Sequence, residues 1–79
     1  MKEVDIKINL PAIDSVKTFT SISMQFKGEV DLISGRHAVD GKSIMGIFSL
    51  DLSKPIDCHI NGEPNDVDAF LTNIKSFTV

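Results

Sequence analysis

Ser43 is the residue in this chain best placed by its neighbours to do something specific. It follows the turn-forming pair Asp40-Gly41 and opens the apolar run Ile44-Met45-Gly46-Ile47-Phe48. A serine at such a boundary reads as a helix N-cap, its hydroxyl aimed at the free amides of the first turn. Ile44 and Met45 then fall on that first turn, while Ile47 and Leu50 take the buried side. The other reactive side chains make no constellation. His37 and His59 both lie in strand-like segments, His59 on the polar side. Cys58 and His59 are adjacent in a strand and point to opposite faces, so they form no metal pair. Cys58 belongs to the apolar side, where a buried structural thiol is expected. Asp51, Asp57 and Asp66 are scattered over loops and wet faces, and no glycine-rich phosphate loop occurs. No catalytic residue, metal or cofactor is expected.

The elements that must hold Ser43 are readable from periodicity. Val4, Ile6, Ile8 and Leu10 alternate with Glu3, Asp5, Lys7 and Asn9, which predicts a strand with one wet face, ended by Pro11. The next segment is ambiguous. Ile13, Val16, Phe19, Ile22 and Phe26 share a helical face, yet Ile22, Met24 and Phe26 also alternate, and the Ser/Thr content of residues 15–23 lowers helix propensity. Val30 and Leu32 mark a second strand after Gly28, Ser34-Gly35 a turn, and Arg36 to Asp40 a short third strand. A short helix from Ser43 to about Leu50 follows. Ile56, Cys58 and Ile60 alternate with Asp57, His59 and Asn61 in a fourth strand. Asn65 is expected to cap the last helix, with Asp68 in the reciprocal position of a capping box. Val67, Phe70, Leu71, Ile74 and Phe77 form that helix's apolar stripe.

Size and composition narrow the class. The 79 residues make one small domain, 1–79, with 42% hydrophobic residues and a net charge of −3. Mean hydropathy is +0.08 and the pI about 5.1. That balance fits a soluble folded protein and argues against nucleic acid as a partner, since no basic patch is visible. A single cysteine excludes an internal disulfide. With no apolar leader and no run able to span a bilayer, a cytoplasmic protein without membrane contact is expected.

The segment Asp40-Gly41-Lys42-Ser43-Ile44-Met45-Gly46-Ile47-Phe48-Ser49-Leu50 resembles the regulatory-serine segment of the HPr family, the small phosphocarrier proteins of the bacterial sugar phosphotransferase system. Counted back without gaps, Val39 matches the apolar residue before the regulatory turn, and Phe26 and the Val30/Leu32 strand fall in register. The resemblance implies that the ambiguous second segment is a helix. It also implies an α+β fold with βαββαβα order: an open-faced β-sandwich, in which a four-stranded antiparallel sheet carries its helices on one face.

Members of that family carry a His-x-Arg-Pro signature at the start of the first helix. In the same register the histidine position is Ala12, the arginine position Asp14 and the proline position Ser15, and no histidine occurs anywhere in residues 1–35. Phosphoryl transfer through such a site needs an imidazole nitrogen as acceptor. It also needs positive charge and helix-terminal amides around the phosphate oxygens. Alanine is no nucleophile, and Asp14 places a negative charge where a cation is wanted.

By resemblance, Ser43 is a regulatory phosphorylation site. Lys42, Ile44, Met45 and Phe48 are then a surface for partner proteins such as the HPr kinase/phosphorylase or a catabolite-control regulator. A phosphate there adds a charge of about −1.5 to −2. The plainer reading, that Ser43 only caps its helix and its apolar neighbours are core, stays open. The function expected is that of an HPr-like protein of the phosphoenolpyruvate-dependent system. It would carry no phosphohistidine and have no turnover, acting as a regulatory or adaptor protein that is a monomer or weak dimer. The alternatives are a phosphocarrier with an atypical acceptor, such as His37 or a carboxylate, and a repurposed oligomerising scaffold.

Overall fold

The computed structural model describes residues 1–79. Alternating apolar residues build four strands: β1 (Lys2–Ile8), β2 (Glu29–Ser34), β3 (His37–Asp40) and β4 (Ile56–Gly62). They form one antiparallel sheet in the order β1-β4-β2-β3. The register sets Ile6 opposite Cys58, and Leu32 opposite both Cys58 and Val39. One face therefore gathers Ile8, Val30, Leu32, Ile56, Cys58 and Ile60, all buried. The opposite face carries Glu3, Asp5, Lys7, Glu29, Asp31, Asp57 and His59 and is not covered by a helix. A half-wet antiparallel sheet of this kind needs cover on one side only.

Helix α1 (Ile13–Gln25), the short α2 (Ile44–Phe48) and α3 (Pro64–Asn73) supply that cover. Val16 and Phe19 of α1, Ile47 of α2, and Val67 and Phe70 of α3 enter a single core with the sheet residues. Phe19 meets Phe70 and Phe77 edge-on, with ring centroids 6.2 and 6.1 Å apart, and Phe26 stacks on Phe70 at 4.8 Å. The architecture is the open-faced α+β sandwich that the resemblance implied.

Four local expectations need correction. On α1, Val16 and Phe19 are buried and Ile22 packs against the core as expected, and Thr20 and Ser23 are buried beside them, but Ile13 lies on the first turn, 63% exposed. Phe26 enters the core from the extended residue after the helix (φ −79°, ψ 132°), not from its last turn. Asn65 does not cap α3. Pro64 takes the first helical position, where its fixed φ is favourable and its missing N–H costs nothing. The cap is therefore Glu63, without a side-chain bond, and Asp68 instead accepts from Lys2 Nζ at 2.7 Å. The apolar stripe also outruns its helix. After Asn73 the chain tightens into a 3₁₀ turn, Lys75–Phe77, and the tail returns to β1 through Asn9 N–H to Phe77 O and Val79 N–H to Lys7 O.

Candidate functional site

The chain enters the Ser43 segment through a tightly bonded turn. The Gly41 amide donates to Val30 O at 2.7 Å, the Lys42 amide to Asp40 Oδ1 at 2.9 Å and the Ser43 amide to Asp40 O at 3.0 Å. Ser43 itself is extended (φ −106°, ψ 106°) and is the N-cap of α2: the Gly46 amide donates to its Oγ at 3.2 Å and the Ile47 amide to its carbonyl at 3.0 Å. Its side chain is exposed. α2 runs only five residues, ending at Phe48 with Ser49 as C-cap, shorter than the stretch to Leu50 read from the sequence.

The apolar neighbours divide between core and solvent. Ile47 is fully buried and Leu50 nearly so. Ile44 packs partly against the core, whereas Met45 is 78% and Phe48 41% exposed. Lys42 is half-buried, and its ammonium donates to the carbonyl of Gly28 at 2.8 Å, in the loop that follows α1. Nothing in the sequence pattern signals this bond, because its partner is a backbone atom 14 residues away.

α1 packs beside α2, so its amino end belongs to the same side of the molecule. Ala12 is its N-cap (φ −132°, ψ 160°) and offers no side-chain acceptor; Asp14 stands in the first turn. No hydrogen bond or ion pair links either imidazole to this end. His59 lies on the uncovered face of the sheet, across it from the helices. There its Nδ1–H donates to Asp5 Oδ1 at 2.7 Å, and its Nε2 lies 3.5 Å from Glu3. The Asp5 hydrogen bond is the main reason its pKa is raised; the charges of Asp5, Glu3 and Asp31 add to this, against partial burial. His37 opens β3, the edge strand farthest from β1, and its side chain makes no hydrogen bond or ion pair.

The remaining candidates are structural. Burial pushes the Cys58 thiol up to about 12, with Asp31 and Asp5 adding to the shift, so no thiolate forms near neutrality. Asp51 has its pKa lowered by the hydroxyl and amide of Ser53, both of which donate to it within a loop turn. No group of three or more His, Cys, Asp or Glu residues is arranged to hold a metal ion, and no helix is long and apolar enough to cross a membrane.

Fold and site together define a small open-faced α+β sandwich with a capped, exposed serine at its second helix. The chain belongs to the PTS HPr family: the family model described as the PTS HPr component phosphorylation site matches residues 13–78. Proteins of this family are phosphocarriers of the phosphotransferase system rather than catalysts. Among solved structures, the chain is similar to HPr-C-His from Thermoanaerobacter tengcongensis. The two are 28% identical, with 96% of this chain and 93% of that one covered, at a TM-score of 0.72. It shares its fold with the phosphocarrier protein HPr of Bacillus anthracis str. Ames (18% identical, 91% and 94% covered, TM-score 0.66). It also shares it with the histidine-containing phosphocarrier protein of Mycoplasma (16% identical, 95% and 89% covered, TM-score 0.72). No curated protein matches the chain in sequence.

Proposed function

We propose that this protein is an HPr-like member of the phosphoenolpyruvate-dependent sugar phosphotransferase system that carries no phosphohistidine. It acts in the cytoplasm as a regulatory or adaptor protein through the Ser43 surface. The observation that carries this reading is the amino end of α1. Its cap is Ala12, its first turn holds Asp14, and the nearer imidazole in sequence is His37, on the far edge strand. Without an acceptor nitrogen there is no covalent phosphoryl intermediate at that helix.

What the chain retains is a surface. Ser43 presents an exposed hydroxyl, with Met45 and Phe48 beside it as exposed apolar contacts and Ile44 at their base. Lys42 serves the same surface by fixing the turn that carries it. Phosphorylation at Ser43 would put about two negative charges next to these apolar residues and so change which partners can pack on them. The partners proposed are proteins: an HPr kinase/phosphorylase acting on Ser43, and a catabolite-control regulator reading the result.

Two assays test this. Incubation with enzyme I and labelled phosphoenolpyruvate is expected to leave the protein unlabelled; acid-labile label would refute the proposal. Incubation with HPr kinase/phosphorylase and ATP is expected to add the mass of one phosphate, abolished by Ser43→Ala. An unchanged mass would reduce Ser43 to a helix cap.

A further inference from the structure

We propose that Lys42 is a charge-sensing tether. It binds the Gly28 carbonyl while Ser43 is unmodified and transfers its ammonium to a phosphate on Ser43 when one is present. This rests on the reading of Ser43 as a phosphorylation site.

The geometry supplies the first of these positions. The ammonium sits 2.8 Å from Gly28 O, an uncharged acceptor. It has no carboxylate within ion-pair distance, although the hollow it borders is also lined by Glu29, Asp31 and Asp40. A phosphate on Ser43 would arrive beside Asp40, whose carbonyl and carboxylate already accept from the Ser43 and Lys42 amides. That environment is anionic, so the dianion needs a cation. Lys42 is the adjacent residue, and rotation of its side chain is the movement that the transfer calls for. A bond between two full charges is stronger than one from an ammonium to a neutral carbonyl.

The transfer has a consequence away from Ser43. Gly28 is wedged in place: a methyl group on its Cα would lie 2.2 Å from Asn61 O and 2.7 Å from the Phe26 ring. Phe26 in turn stacks on Phe70 of α3. Removing the Lys42 bond frees the Gly28 carbonyl and loosens the loop that seats Phe26. A charge gained at Ser43 is thereby felt at the carboxyl end of α1.

The test uses the full chain with phosphoserine installed at position 43 during synthesis, so no kinase is involved. Backbone amide spectra and hydrogen exchange are compared for four proteins: unmodified, phosphorylated, Lys42→Met, and both together. Phosphoserine is expected to shift the Gly28 and Glu29 amides and speed their exchange severalfold. Lys42→Met is expected to reproduce the change, and the combination to add nothing. A response to phosphoserine confined to α2 overturns the proposal, and so does a Gly28 response that persists in Lys42→Met. Failure of the kinase to modify the natural protein would count against the regulatory reading of Ser43, and the tether would stand or fall on the spectra alone.

Discussion

His59 Nδ1 lies 2.7 Å from an oxygen of Asp5, the residue directly opposite it on β1. Glu3 is near its other nitrogen, and Asp31 is its opposite number on β2. A pKa raised in the folded state means that folding binds a proton. The stability from this pair is complete below the ordinary imidazole value of about 6.5 and is lost as pH rises through the higher folded value. Urea denaturation of wild type and His59→Gln at about pH 5.5 and 8.5 is therefore expected to show a wild-type advantage at the lower pH that shrinks at the higher one. An advantage that grows with pH would contradict the pairing.

Gly28 and Gly35 are both glycine for different reasons, and substitution separates them. Gly28 has no room for a Cβ against Asn61 O. Gly35, in the β2–β3 hairpin, has open space but φ of +60°. Gly28→Ala is expected to cost about 3 kcal/mol by overpacking. Gly35→Ala should cost about 1 kcal/mol for its left-handed backbone. Asparagine, which tolerates that conformation, should recover most of the loss at Gly35 and none at Gly28. Equal losses for both alanine variants in denaturant titrations would refute the distinction.

Ser23 contrasts with Thr20 on the same buried face of α1. The Thr20 hydroxyl donates to Val16 O at 2.8 Å, whereas Ser23 Oγ is buried without a partner. Removing an unsatisfied buried hydroxyl is neutral or stabilising, and alanine is the better helix former. Ser23→Ala is expected to gain about 0.5–1 kcal/mol, while Thr20→Ala loses a methyl contact and a bond and costs about 1–2 kcal/mol. Thermal unfolding with opposite shifts for the two variants is the expected result.

These residues also explain what the sequence made legible. β1 and β4 were plain because each buries one face and wets the other, so residues such as Ile6 and Cys58 declare themselves by alternation. α1 was ambiguous because Thr20 and Ser23 hold two of its inward positions while Ile13 and Met24 stay exposed; its buried face is only partly apolar. Ser43 was readable because capping depends on residues three positions apart. The His59–Asp5 pair and the Lys42–Gly28 bond depend on sheet register and on a loop approach across 54 and 14 residues. Local pattern carries no trace of either.

Ser43 allows stability and recognition to be measured apart. A five-residue helix does not persist on its own, so α2 depends on its cap and on Ile47 in the core. Ser43→Ala removes the acceptor of the Gly46 amide and is expected to cost about 1 kcal/mol. Ser43→Asp retains an acceptor of similar reach and should stay near wild-type stability while carrying a negative charge beside Met45. If the surface serves a phosphorylation-dependent partner, binding measured by calorimetry should change with Ser43→Asp and not with Ser43→Ala, the reverse of the order of stability. If Ser43 is only a cap, binding should follow stability, and the alanine variant should be the weaker of the two.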